Sequence, residues 1–469
     1  MNQLKELANQ TVVYGLSSII GRLLNYLLVP LYTRYFIPSE YGVVTEIYAY
    51  VAFLVVFLTY GMETAFFHFS NKEEKPKTVY STTLTSIIIS SLLFIICVFL
   101  NIASISEFMG YEQNQEYIQW FAIIIFLDAI SSIPFARLRY KNQAIKFSTI
   151  KLLSIFTNIT LNLYFIIYKE YGIEYIFISN LISSVLTFLL LISELPLLNW
   201  RFDKIIWRKM INYSLPLLFV GLAGVINEAI DRVLLKHFLL DSKKAMSELG
   251  LYGAFYKLSV IMILFIQAFR FAAEPFFFSK QKQDNNRHIY ADVMKYFIIV
   301  GSTIFLIVTI FYDFFKQFLG QEFHDERGFL VVSILLFANL LLGVYYNLSI
   351  WYKLTEKTIF GAIISVTGAI ITLILNVILI PKIGFIGCAW ATLACYSLMV
   401  IASYILGRKH FAIPYNIKRI IIYVSSMLAI YLIMLCTPYG ITINSLGLVA
   451  FITLVFFLEK RKKSIKFIN

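Results

Sequence analysis

Only 14% of the 469 residues are charged, against 59% that are hydrophobic. Soluble domains carry roughly a quarter charged residues, so the deficit excludes a soluble globular enzyme and points to an integral membrane protein. Cysteine is almost missing: Cys97, Cys388, Cys395 and Cys436 all fall in apolar runs without paired metal-ligand spacing. That excludes a disulfide framework and reads as small core residues. Five scattered histidines make no metal constellation. There is no P-loop, no Gly-rich dinucleotide fingerprint and no soluble tail large enough for an ATPase domain. No cofactor and no enzymatic activity are therefore expected. Energy for any vectorial work must come from a proton or sodium gradient, the membrane potential or the substrate itself. The net charge of +13 does not call for nucleic acid, because basic residues are expected in cytoplasmic loops. Only Lys5 precedes the first apolar run, which lacks a cleavage-site pattern, so the chain is expected to keep its first helix.

What the sequence has in abundance is long apolar runs. About twenty such residues make one spanning helix, and fourteen spans are expected, near 11–31, 43–67, 79–100, 117–137, 147–168, 172–194, 212–235, 250–275, 293–315, 328–350, 359–380, 384–406, 417–437 and 441–458. Lys and Arg alternate between the connecting loops. One set runs from Lys5 through Lys72, Lys75, Lys77, the Arg137–Lys146 and Arg201–Lys209 groups, Lys280, Lys282, Arg287, Lys353, Lys357 and Arg408–Arg419 to the tail from Lys460 to Lys466; the other holds Arg34, Lys169, Lys236, Lys243, Lys244, Lys316, Arg327 and Lys382. The ratio is roughly 26 to 8, which predicts that both termini are cytoplasmic.

The first half recurs in the second. Ser39-Glu40-Tyr41-Gly42 is matched by Ser247-Glu248-Leu249-Gly250, and Phe66-Phe67-His68-Phe69-Ser70 by Phe276-Phe277-Phe278-Ser279. Leu161-Asn162 precedes Tyr171-Gly172 as Leu375-Asn376 precedes Ile383-Gly384. Six helices separate the copies, so the expected repeat is parallel, with a site at the repeat interface. The expected division is a six-helix lobe over 1–195, a second over 196–410, and an appended helix pair with a basic tail over 411–469.

The run Leu375-Asn376-Val377-Ile378-Leu379-Ile380-Pro381-Lys382-Ile383-Gly384-Phe385-Ile386-Gly387-Cys388-Ala389-Trp390-Ala391-Thr392 resembles polysaccharide flippases of the multidrug/oligosaccharidyl-lipid/polysaccharide exporter superfamily. Ser39-Glu40-Tyr41-Gly42, and Asp231-Arg232 followed by Leu251-Tyr252-Gly253-Ala254-Phe255-Tyr256-Lys257, are similar too. Cys388 and Trp390 stand where the family usually has small residues. The resemblance covers the whole chain. It implies an all-α membrane fold of two six-helix lobes forming a V, a central cationic cavity, and export of a polyprenyl-pyrophosphate-linked sugar unit for polysaccharide, O-antigen or capsule biosynthesis.

Charges within apolar runs are expensive and normally face a bundle interior or a watery cavity. Glu228, Asp231 and Arg232 lie at spacings of three and four in the seventh span and share a helical face. Lys257 is expected at similar depth in the eighth. The four form either a self-neutralising helix glue or a site in which Arg232 or Lys257 is lent to a substrate phosphate while the acids tune or release it. Arg22 sits mid-span with Asn25 on its face, and no acid lies three or four residues away. Arginine's planar fork suits phosphate oxygens, which makes Arg22 an anion-binding candidate or the structural partner of an acid elsewhere. Arg270 and Glu274 are spaced as an i,i+4 pair, with Glu63 at similar depth in the repeat partner: snorkelling residues or a cytoplasmic gate. Asp128, in mid-span four, is a titrating coupling site or a hydrogen-bonded structural acid. Asn162 and Asn376 read as structural amides.

The expected function is translocation of a lipid-linked oligosaccharide across the bacterial cytoplasmic membrane, in the company of glycosyltransferases and a polysaccharide polymerase. The alternatives are a cation-coupled multidrug or metabolite antiporter, against which the cations Arg22, Arg232, Lys257 and Arg270 argue, and a non-transporting scaffold, against which the buried charges argue.

Overall fold

A hydrocarbon environment offers no hydrogen bonds to the backbone, so an apolar chain of this kind satisfies its amides within helices. The computed structural model describes residues 19–72, 76–195, 201–239, 241–279, 287–436 and 441–466, and among them the regular structure is entirely helical. Twelve of the described helices are long and apolar enough to cross a membrane. The expected first span begins in undescribed sequence; its described part is helical over 19–26 and again, after a turn, over α1 (Val29–Tyr35). The final helix, Ile441–Lys466, stands where the fourteenth span is expected. Lys5, Lys75, Lys280 and Lys282 lie outside the described residues.

The chain divides into two compact units, Met1–Gly250 and Leu251–Asn469. Unit 1 continues from α1 through α2 (Pro38–Thr59), α3 (Met62–Lys72), α4 (Pro76–Leu100), α5 (Ile102–Met109), α6 (Gln115–Tyr140), α7 (Ala144–Asn162), α8 (Glu174–Leu191) and α9 (Lys204–Phe238) to the first turns of α10 (Ser242–Ser279). Pro38 opens α2, and the Glu40 carboxylate accepts the Ile37 N–H at 3.1 Å, a one-sided cap by a first-turn acid. Between α2 and α3 the backbone turns left-handed at Tyr60 (φ 30°) and Gly61 (φ 70°). A Cβ on Gly61 would stand 3.0 Å from the Ser214 carbonyl of α9, so a side chain there meets both strain and crowding.

The two Ser-Glu-x-Gly stretches meet. A Cβ on Gly42 would collide with the Met246 carbonyl and lie 3.3 Å from the Gly250 nitrogen. One on Gly250 would collide with the Pro38 carbonyl and lie 3.0 Å from the Gly42 nitrogen. Small residues let membrane helices approach to backbone distance, and here they bring the start of α10 onto the start of α2. The core beneath joins Leu58, Met62, Phe66, Leu84, Ile125 and Ile133. On α4, Leu93, Ile96 and Leu100 are exposed at helical spacing, as a lipid-facing stripe must be.

Unit 2 holds the rest of α10, then α11 (Arg287–Ile310), α12 (Tyr312–Lys316), α13 (Gly328–Leu348), α14 (Ile350–Leu354), α15 (Ile359–Ile383), α16 (Phe385–His410), α17 (Ile417–Cys436) and α18 (Ile441–Lys466). Both α13 and α15 pack on α16. Gly368 makes room there for Cys395 and Met399, and the Trp351 indole donates to Ser403 at 3.2 Å. Cys388 and Cys395 are buried, as small core residues should be, but Cys97 and Cys436 are exposed. The latter two lie near the ends of their helices, and sequence hydropathy alone does not separate such positions from core. Phe66, Phe177, Tyr252 and Trp351 are fully buried, so large aromatics help build the cores of both units.

Candidate functional site: charges within the spans

The α9 cluster is split by depth. Asn227 and Asp231 are buried, Glu228 is exposed and Arg232 is half-buried. The Asp231 carboxylate accepts the Arg232 backbone N–H at 2.8 Å, and the Arg232 guanidinium folds back onto the Glu228 carbonyl at 3.2 Å. The Tyr41 ring of α2 lies within electrostatic reach of Arg232. Arg22 and Asn25 are both exposed, one turn apart on the helical segment 19–26.

A turn beyond Arg232 lies a more completely buried set. Glu46 of α2 is fully buried. Its carboxylate accepts the Tyr111 hydroxyl at 2.5 Å and the Lys236 ammonium at 2.9 and 3.1 Å. Lys236 also donates to the Met109 carbonyl at 2.5 Å and sits 4.5 Å over the Tyr111 ring. Between its contacts the ammonium has every donor used, and the set fastens α9, α2 and the α5–α6 loop together. Burial and the adjoining Glu46 carboxylate push the Tyr111 phenol well above its ordinary range.

At the opposite end of unit 1, Glu194 gathers Lys146 at 2.5 Å and Arg137 and Lys141 at 3.6 Å. Tyr80 donates to the Glu194 carbonyl at 2.8 Å while its ring lies under the Arg137 guanidinium. Glu63 of α3 pairs with Arg139 of α6. Asp128 accepts the Ser184 hydroxyl of α8 at 2.9 Å. Asn162 accepts the Tyr32 hydroxyl at 3.0 Å, and Asn376 donates to the Thr372 carbonyl at 2.8 Å.

In unit 2, Lys257 is half-buried on α10. Arg270 lies 4.1 Å over the Tyr346 ring. The Glu274 side chain, its expected partner, lies outside the described residues. A charge cluster forms around Glu459 on α18, which accepts Lys295 of α11 at 2.5 Å and Arg419 and Tyr423 of α17 at 2.8 and 2.7 Å. Among the described residues no group of three or more His, Cys, Asp or Glu is arranged to hold a metal ion.

The residues that sequence reading passed over are Glu46, Lys151, Lys236, Lys295 and Glu459. For Glu46, Lys151 and Lys295 the signal was present, since each is a full charge inside an apolar run. Lys236 was read as a loop cation because its acid lies 190 residues away in sequence, where no spacing rule reaches.

Twelve described helices long and apolar enough to cross a membrane, with ion pairs buried among them, define the class: a multi-pass membrane protein. The profile of the family described as "Polysaccharide biosynthesis protein" matches residues 31–277, just over half of the chain, and the chain belongs to that family. It is 21% identical over 392 residues to the "Lsg locus putative protein 1" of Haemophilus influenzae, covering 80% of this chain and 94% of that protein. Its fold is similar to a lipid II flippase, MurJ, in an inward closed conformation, with a TM-score of 0.75 at 17% identity over 96% of this chain and 99% of that one. It is also similar to an inward-facing multidrug resistance MATE transporter of the MOP superfamily, with a TM-score of 0.68 at 14% identity over 85% and 94%. The chain is thus a member of the polysaccharide-biosynthesis family whose fold is similar to those of a lipid II flippase and a multidrug transporter.

Proposed function

We propose that this protein carries a polyprenyl-pyrophosphate-linked oligosaccharide from the cytoplasmic to the outer leaflet of a bacterial inner membrane, by alternating access. The reading rests on one observation above all: a polysaccharide-biosynthesis family member has the fold of a lipid II flippase. The head group enters a hydrated, cation-bearing site while the polyprenyl tail stays in lipid. Arg22, Arg232, Lys257 and Arg270 are the candidate phosphate contacts, with Asn25 beside Arg22, and Glu63, Asp128, Glu228, Asp231 and Glu274 are the candidate coupling or gating acids. Both termini face the cytoplasm. Glycosyltransferases deliver the substrate and a polymerase takes the product.

An inside-negative membrane favours outward movement of anions by about 2.3 kcal/mol per charge per 100 mV. Two phosphate charges crossing the whole field would gain several kcal/mol, so coupling to protons or sodium is compatible with the cycle without being required. Replacing Arg22 by alanine is expected to abolish glycan export with the protein still present in the membrane; normal export would remove Arg22 from the pathway. The likeness to multidrug transporters supports a second reading, drug antiport. It predicts growth protection against cationic drugs, which an interior rich in Arg and Lys disfavours.

A further inference from the structure

Two cavities of unit 2 lie beside the irregular segment 411–416 that joins α16 to α17. One, of about 360 Å³, is lined by His288, Asp292 and Lys295 of α11, by Pro414 and Asn416 of the segment, and by Arg419 of α17. Both α11 and α17 begin at this cavity, so the positive ends of two helix dipoles point toward it.

The groups that line it are mostly donors. Lys295 is 3% exposed and donates to Glu459 at 2.5 Å, with Asp292 3.5 Å away. Arg419 reaches Glu459 through one terminal nitrogen at 2.8 Å. Its Nε and its second terminal nitrogen have no protein acceptor among the described residues. The Asn416 side-chain oxygen accepts the Arg419 backbone N–H at 3.2 Å, which leaves the Asn416 amide N–H groups uncommitted. His288 is exposed and has no hydrogen-bond partner among the described residues. Asp292 is the one carboxylate in the lining. Glu459 shows what Lys295 and Arg419 recognise, since a single carboxylate spans both. Spare donors of this kind suit a group with several acceptor oxygens, and a guanidinium with two uncommitted nitrogens fits phosphate. The volume falls within the range of small-molecule sites, more than a bare phosphate fills.

We propose that this cavity binds a phosphate ester of net negative charge. Arg419 meets the phosphate through its two uncommitted nitrogens, His288 and Asn416 add hydrogen bonds, and Lys295 is shared between the ligand and Glu459. Basic pockets between membrane helices take phospholipid head groups. The second cavity, of about 440 Å³, shares Pro414 with the first and offers Leu348, Phe411 and Ile413 to an acyl chain; a soluble phosphate ester uses the first cavity alone. Bridging α11 and α17, the ligand fastens the appended helices to the helix on which both α17 and α18 pack. It is a resident of the fold and not the transported substrate, so the inference stands apart from the flippase reading.

The experiment follows the thermal midpoint of the purified, delipidated full-length protein in neutral detergent. The probes are dioleoyl phosphatidylglycerol, dioleoyl phosphatidylcholine and glycerol 3-phosphate. Phosphatidylglycerol, glycerol 3-phosphate or both are expected to raise the midpoint saturably; a response to the lipid alone assigns a lipid source, and one to glycerol 3-phosphate alone a soluble ester. Arg419→Gln is expected to raise the half-saturating concentration roughly tenfold or more, the worth of a charged hydrogen bond, and His288→Ala about threefold. Asp292→Asn is expected to lower it, because Asp292 repels the phosphate, a gain that loosened packing does not give. Lys418→Gln, adjacent in sequence but outside the lining, should leave it within about twofold. Silence of both anionic probes, an equal response to phosphatidylcholine, a loss in Lys418→Gln matching that in Arg419→Gln, or weaker binding in Asp292→Asn overturns the site. Should Arg419→Gln fail to purify, His288→Ala and Asp292→Asn decide by the same criteria, and unchanged binding in both overturns it.

Discussion

At the scale of single residues, the most heavily invested contact is the Glu46–Lys236–Tyr111 set. Taking one partner out of a buried pair leaves an uncompensated charge and costs about 3–5 kcal/mol. Lys236→Met is therefore expected to lower the thermal midpoint of the detergent-solubilised protein, and Glu46→Gln combined with it to recover part of the loss, since no lone charge then remains. An unchanged midpoint in Lys236→Met would show that water already screens the pair. The sequence made the existence of buried charges legible and left their pairing illegible. Glu228, Asp231 and Arg232 were visible by helical spacing, yet the buried acid that grips α9 comes from α2. Arg270 lies over the Tyr346 ring of another helix, a contact that no spacing rule offers, and the Glu274 side chain with which spacing pairs it lies outside the described residues. Spacing rules see one helix at a time, and ion pairs in a bundle join several.

At the scale of elements, the glycines of the duplicated motif matter more than its acids. Gly42 and Gly250 bring α2 and α10 to backbone contact, and overpacking usually costs about 1–3 kcal/mol where side chains can shift. Here the obstacle is carbonyl oxygen, so Gly42→Ala and Gly250→Ala should each reduce membrane yield and thermal midpoint more than Gly224→Ala, where a Cβ meets nothing within 4 Å. Equal behaviour of the three would contradict the packing account. The motif itself was legible from its recurrence, but that its two copies touch was not, because a repeat fixes kinship and not contact.

A second element-scale prediction concerns the α12–α13 loop. Hydrogen bonds from the Arg327 side chain at 2.8 and 2.9 Å, and from its backbone N–H at 2.8 Å, hold the Asp325 carboxyl below its usual range against the opposing effect of burial. A depressed carboxyl contributes stability above its unfolded pKa and loses it as pH falls through the folded value. The pair is partly exposed, so its worth is at most about 1 kcal/mol. Asp325→Asn should melt slightly below wild type at neutral pH, with the gap closing below about pH 4; a gap constant with pH would assign the effect to shape rather than charge.

At the scale of the whole molecule, composition and apolar runs alone made the membrane class legible, and the family resemblance was visible in the run from Leu375 to Thr392. The described residues contain twelve helices of spanning length and composition, with the expected first span beginning in undescribed sequence and the last helix running on into the charged residues from Glu459. Hydropathy finds spans because lipid imposes one solution on the backbone. It does not say which of a helix's faces meets lipid, and so it could not separate exposed Cys97 and Cys436 from buried Cys388 and Cys395. The proposed activity of the whole molecule is movement of a lipid-linked glycan between leaflets. The most direct test is to reconstitute the protein in sealed vesicles with a polyprenyl-pyrophosphate oligosaccharide and to follow how much of it becomes accessible to an external glycosidase. The account predicts accessibility that rises well above the half exposed at the start, faster with an inside-negative potential and absent in Arg22→Ala. Accessibility that stays at the protein-free level under both conditions would contradict it.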